Sequence, residues 1–164
     1  MTTANPAPGP VVRVRPYRAN DAPALDAIYR ACRSEASWLP SAAKETSDFA
    51  RDTEGEVLLV AVILKAVSGE RIIGTVRAKV ASGTCTIGRL AVHPDFQGQG
   101  IGSALLKNIE ASFPDASKYE LFTGSRSQAN IRLYQRHGYT ISHTQAVSPT
   151  VSLTFLEKPA NPAP

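Results

Sequence analysis

HPDFQGQGIGSALL, residues 93–106, is the stretch on which the reading of this chain turns. Gly98, Gly100 and Gly102 alternate along a short polar loop. Ile101, Ala104, Leu105 and Ile109 then recur at i, i+3, i+4 and i+8, which is one face of a helix, and Pro114 ends the pattern. The spacing predicts a helix from about Gly100 to Phe113. A helix N-terminus presents unpaired N–H groups and roughly half a positive charge. Glycines before it let the main chain take a positive φ and press against a ligand. The stretch has the physics of a phosphate cradle, and a tight strand-to-helix turn without a ligand is the alternative. A Walker loop is excluded because no Lys-Ser/Thr follows the glycines. A dinucleotide fingerprint fits poorly: Ser103 stands where the third glycine belongs, and Glu120, twenty residues past Gly100, lies inside a short strand rather than at its end.

Outward from the loop, the pattern changes period. Upstream, Glu56–Lys65, Arg71–Ala81 and Thr84–Val92 are rich in β-branched residues and read as strands, separated by VSGE and Ser82-Gly83 turns. Val11–Tyr17 alternates apolar and basic residues, another strand. Asn20 or Asp21 caps a helix to about Glu35, with Leu25, Ile28, Tyr29 and Cys32 at core spacing, and Ser41 opens a second helix to about Arg51. Downstream, Tyr119–Thr123 is a short strand. Ser125 with Gln128 reads as a capping box for a helix to about His137, stopped by Gly138. Strands at about Tyr139–Thr144 and Thr150–Glu157 close the chain. The order β, α, α, three strands in meander, α, β, α, β, β implies an α/β (α+β) fold. Its centre is a mixed, largely antiparallel sheet of about six or seven strands with helices on both faces.

Composition bounds the rest. The 164 residues, 43% hydrophobic and 20% charged, suit one globular domain over about residues 11–158, with Pro/Ala-rich tails at 1–10 and 159–164 expected to be disordered. The net charge of +4 suits an anionic ligand, but the basic residues form no run of the kind that binds nucleic acid. Two distant cysteines and three scattered histidines make no metal or disulfide spacing, so no metal is expected. The eight-residue run VLLVAVIL is too short to span a bilayer, and the first ten residues are not a signal peptide. A cytoplasmic protein, monomer or homodimer, is expected.

Gln97-Gly98-Gln99-Gly100-Ile101-Gly102 resembles Gln/Arg-x-x-Gly-x-Gly/Ala, the coenzyme A pyrophosphate loop of the GNAT superfamily of N-acetyltransferases. Asn130 to Tyr139, NIRLYQRHGY, resembles that family's second segment, an Asn followed by a helix Tyr and Gly-Tyr/Phe. The element order is similar from Val11 to about Glu157. The resemblance implies a GNAT-like fold with acetyl-CoA as co-substrate. The main-chain N–H groups of Gln97, Gly98, Gln99, Gly100, Ile101, Gly102 and Ser103 would hold the pyrophosphate. Main-chain groups of Leu90, Ala91 and Val92 would pair with the pantetheine arm like an added strand, and Asn130 would contact the cofactor. Tyr134 would protonate the departing thiolate. Read from the residues alone, Tyr134 is equally a core aromatic, Asn130 a local cap, His93 a turn residue, and His137 and His143 surface residues.

The chain departs from relatives that carry a Glu on the strand before the loop: its residues 85–89 read Cys, Thr, Ile, Gly, Arg. An alkylamine with pKa near 10.4 must still lose a proton, at about 4.6 kcal/mol at pH 7, and no base is evident. Residues 35–56 hold six acids against two bases, which is an acidic lip for a cationic amine or a solvated helix surface. Trp38 and Leu39 line an acceptor pocket or pack in the core. The resemblance therefore implies transfer to an amine, by direct attack in a ternary complex. A small-molecule acceptor is expected, with a protein amino group or a non-catalytic acyl-CoA sensor as the alternatives.

Overall fold

In the computed structural model, which describes residues 11–32, 56–65 and 69–160, the apolar run Leu58–Ile63 is buried on both of its faces. Its side chains alternate with the strand period of two. Leu59, Ala61 and Ile63 enter one cluster of buried residues, and Leu58, Val60 and Val62 enter another. Such a strand must lie inside a sheet covered by helices on each side.

The elements are β1 (Val12–Pro16), α1 (Ala22–Cys32), β2 (Glu56–Lys65), β3 (Gly69–Ala81), β4 (Thr84–Val92), α2 (Ile101–Ala111), β5 (Lys118–Gly124), α3 (Gln128–Arg136), β6 (Thr140–Ala146) and β7 (Ser152–Pro159). Seven strands form one sheet in the order β1-β2-β3-β4-β5-β7-β6. All neighbours are antiparallel except β4 and β5, which the crossover through α2 makes parallel. α2 buries Ile101, Leu105, Leu106 and Ile109 in the larger cluster, while α1 buries Leu25 against Leu58, Val60 and Val62 on the opposite face. The expected mixed sheet with helices on both faces is the fold observed.

An ionic clasp fixes the start of the domain. Arg15 on β1, itself buried, donates from Nη1 and Nη2 to the two carboxylate oxygens of Asp21 at 2.9 Å. Its Nε donates to Glu70 on β3 at 3.0 Å. The Arg15 hydrogen bonds hold the Asp21 carboxyl below its usual range.

Two expected details differ. The cap of α3 is Ser127, not Ser125, whose hydroxyl is hydrogen-bonded to Thr154 on β7 at 2.8 Å; Gln128 instead reaches back to the Ser125 carbonyl. β7 continues past Glu157 to Pro159, and Ala160 N–H donates to Ser117 O. The predicted helix at 41–51, the acids at 35–54 and Trp38 and Leu39 lie outside the described residues, as does the side chain of Glu56.

Candidate functional site

The β4–β5 ladder stops almost as soon as it starts. Only Thr84, Cys85 and Thr86 pair with Lys118, Tyr119 and Glu120. Beyond that point the two parallel strands part, and on its β5-facing edge no described strand pairs with β4 from Ile87 to Val92, while β3 continues along the other edge. The stretch also carries a bulge. The β3 register jumps between Thr75↔Ala91 and Arg77↔Gly88, and Arg89 takes φ +51°, a conformation that residues with a Cβ rarely adopt. The bulge turns part of the β4 main chain out of the ladder. Tyr29 on α1 donates its hydroxyl to Arg89 O at 3.2 Å, while Cys32 Sγ (3.3 Å) and Gln97 Nε2 (3.1 Å) both donate to Val92 O.

The glycine loop leaves the open end of this wedge. His93 starts it, its Nδ1 accepting from Asp95 N–H, and Pro94–Phe96 make one tight turn. Gln97 N–H points back to Pro94 O at 3.4 Å. Gly98 and Gly100 then adopt φ +76° and +82°, with nothing within 4 Å of where a Cβ would stand. Gly100 is the N-cap of α2 and supplies no side chain to cap it. Ala104 N–H is the first of the helix to close a bond, to Gly100 O at 3.1 Å. The N–H groups from Gly98 to Ser103 donate to no described residue, so the loop holds a set of uncommitted donors on the positive end of α2.

α3 lies against that first turn. A Cβ on Gly102 would meet Leu133 Cδ2 at 3.2 Å, and Ser103 Oγ is 3.0 Å from His137 Nε2. Tyr134, one residue past Leu133, is 5% exposed, and its ring packs edge-on against Tyr139 at 6.0 Å. Its hydroxyl has no hydrogen-bond partner among the described residues, whereas Tyr119 and Tyr139, its buried neighbours, both bond to Glu110. An unpaired buried hydroxyl costs about 1–3 kcal/mol, so native proteins seldom keep one without use. Burial pushes the Tyr134 hydroxyl well above the usual tyrosine range, and it stays protonated at neutral pH. Asn130, four residues earlier, is exposed and caps nothing.

The helix that carries Tyr134 thus meets the donor loop's helix through Leu133 at Gly102 and His137 at Ser103, and Leu90, Ala91 and Val92 lie on the β4 stretch that β5 leaves unpaired. The sequence reading did not include the His137–Ser103 contact, which joins residues 34 apart, or the Tyr29 bond to the bulge. His137 is half-buried rather than at the surface; His143 is exposed and stacks on Phe155 at 4.4 Å. Cys85 is fully buried, and burial pushes its thiol up to about 11, so it is no nucleophile near pH 7. No cluster of metal-ligating side chains exists among the described residues, and no helix there is long and apolar enough to cross a membrane.

A family model described as an acetyltransferase (GNAT) domain matches residues 55–141. None of the curated proteins matches the chain in sequence. Among solved structures, the chain is similar to the ribosomal-protein-S18-alanine N-acetyltransferase from Escherichia coli, with a TM-score of 0.76, 19% identity, and 94% of this chain and 97% of that one covered. It is similar to a GNAT superfamily phosphinothricin acetyltransferase from Sinorhizobium meliloti in complex with AcCoA, at TM-score 0.72, 19% identity and coverage of 91% and 88%. A third is the paia N-acetyltransferase from Thermoplasma acidophilum in complex with coenzyme A, at TM-score 0.67, 15% identity and coverage of 91% and 99%. At these identities the likeness is one of fold.

Proposed function

The chain belongs to the GNAT acetyltransferases, and from that membership we propose that it moves an acetyl group from acetyl-CoA to a small primary amine by direct attack in a ternary complex. The observation that carries the proposal is the pairing of the β4–β5 wedge with the uncapped N-terminus of α2. An anionic group at the loop meets free N–H donors, and an extended arm in the wedge can pair with β4 as an added strand.

Bound acetyl-CoA supplies the activated acetyl thioester. The residues of the chain do the rest. Gly98 to Ser103 hold the pyrophosphate through main-chain N–H groups, each charge-assisted bond contributing roughly 1.5–3 kcal/mol. Leu90, Ala91 and Val92 would align the arm, and a main-chain N–H of the bulged stretch around Arg89 would polarise the thioester carbonyl. Asn130, exposed on the same side of α3 as Tyr134, contacts the cofactor from its rim. Tyr134, neutral and without a hydrogen-bond partner among the described residues, donates its proton to the leaving thiolate sulfur. The buried, protonated Cys85 supports a route without an acyl-enzyme.

One face of the β5–β7–β6 half of the sheet packs with α2 and α3. On the opposite face Phe122, Phe155 and His143 stand side by side, with Phe122 46% exposed and only two residues beyond the last β4–β5 pair. We take that side as the acceptor's approach, and the aromatic row supports an acceptor with an apolar body.

The test is thiol release from acetyl-CoA against a panel of small amines and amino-terminal peptides. Turnover of small amines supports the proposal. Turnover of peptides alone moves the assignment to protein amino groups. Tight acetyl-CoA binding with no turnover on either would make the domain a sensor.

A further inference from the structure

A polar contact ties the donor loop's helix to the C-terminal end of α3: His137 Nε2 lies 3.0 Å from Ser103 Oγ. Ser103 is the third residue of α2, so its side chain belongs to the first turn, where the free N–H groups lie. His137 is the C-cap of α3, and its own main-chain N–H is tied down to Tyr134 O at 3.0 Å, with the next N–H, of Gly138, donating to Gln135 O. The imidazole is therefore held at a fixed place beside a hydroxyl that can turn.

We propose that His137 is a positioning residue for anion binding: its Nε2–H donates to Ser103 Oγ and so turns the Ser103 hydroxyl hydrogen toward the phosphate held at the start of α2. The inference rests on the reading of that loop as the coenzyme A site. A serine hydroxyl has one hydrogen to give and two lone pairs. If the neutral imidazole accepted that hydrogen, the serine would present only lone pairs to an anion, which repels them. With Nε2–H as donor, one lone pair is occupied and the hydrogen is left for the ligand. A bound anion therefore selects this tautomer, and an imidazolium, with a hydrogen on both nitrogens, enforces it.

The same arrangement makes anion binding sensitive to pH. Four charged groups face His137: Lys107 and Glu110 from α2, Arg136 from its own helix, and Lys158 from β7. Burial holds the imidazole below its usual range, with the three cations acting in the same direction and Glu110 against it. His137 is therefore neutral at pH 7 and above. An anion at the loop favours the charged form, so by linkage binding must strengthen as pH falls through the His137 titration.

The experiment is calorimetric titration of the full chain with coenzyme A between pH 5.5 and 8, for wild type, His137→Leu, His137→Gln and Ser103→Ala. Each affinity is divided into the wild-type value at the same pH, which removes the titration of the ligand's own phosphate. We expect His137→Leu to bind about three- to tenfold more weakly at pH 8, with the deficit growing a further threefold or so by pH 5.5. His137→Gln, which keeps a donor near Nε2 but cannot charge, should regain most of the affinity at pH 8 and none of the pH dependence. Ser103→Ala should lose as much as His137→Leu at pH 8, and the double variant no more than either. A structural tie alone predicts lower melting temperatures with an unchanged pH profile. That result, or equal affinity in His137→Leu and His137→Gln across the range, overturns the inference. Absence of coenzyme A binding by the wild type would instead overturn the site assignment beneath it. Should His137→Leu not fold, the pH profile of His137→Gln decides alone.

Discussion

Gly102 and Leu133 approach so closely that a methyl group on the glycine would stand 3.2 Å from Leu133 Cδ2. The third glycine of the loop is thus set by the packing of α2 on α3. A bulky residue at Gly102 is expected to cost ligand binding at the loop. The contact adds a second effect, because α3 carries Tyr134 and would be displaced with it. Gly102→Ala meets only the end of a flexible leucine and is expected to lower stability by less than about 1 kcal/mol. Gly102→Val adds volume that Leu133 cannot clear alone. It should lower the melting temperature by several degrees, for an overpacking cost of about 1–3 kcal/mol. Coenzyme A affinity should fall with it. Thermal denaturation and calorimetric titration of both variants check this.

Gly100 is required for a different reason. Its φ of +82° is unfavourable for any residue with a Cβ, although space around it is open. Gly100→Ala is expected to cost about 1–2 kcal/mol in the present backbone conformation, or to let the loop relax and lose its row of aimed N–H donors. Either way coenzyme A should bind at least tenfold more weakly. Affinity equal to wild type would mean that the loop conformation is not used for binding.

The Arg15–Asp21–Glu70 clasp predicts how stability depends on acid. The folded Asp21 carboxyl titrates below its unfolded value near 3.9, chiefly through its hydrogen bonds from Arg15. The stability it contributes is therefore fully present above about pH 4 and is lost as pH falls through the depressed folded value. Asp21→Asn leaves Arg15 buried with only Glu70 as a carboxylate partner. It should lower stability at pH 7 by roughly 3 kcal/mol and flatten the acid limb of the melting curve. Melts from pH 2 to 8 for both proteins give the answer; parallel acid limbs would show that Asp21 is not the group responsible.

Much of this was legible in the sequence because it depends on local periodicity. Strand β4 and the α2 core face follow from alternation and 3.6-residue spacing. The alternation of Leu58 to Ile63 between two clusters follows from the strand period alone. What was not legible depends on distant partners. Ser125 looks like a helix cap in sequence, but its hydroxyl is hydrogen-bonded to Thr154 on β7, and the helix starts after Ser127, whose side chain makes no capping bond. The bulge at Arg89 has no signature, because a positive φ on arginine is imposed by the sheet rather than chosen by the residue. The wedge depends on a ladder that stops after three pairs, and spacing does not encode where two strands part. His137 looked like a surface residue because the residue that holds it, Ser103, is 34 positions away.

Tyr134→Phe tests the central claim most directly. The substitution removes a buried hydroxyl that has no partner among the described residues, so the fold should be as stable as wild type or slightly more so. Thiol release from acetyl-CoA with the best amine of the panel should fall by about 10²–10⁴ in kcat, while the calorimetric affinity for acetyl-CoA stays within twofold. A variant that binds acetyl-CoA normally and turns over at the wild-type rate would contradict the account.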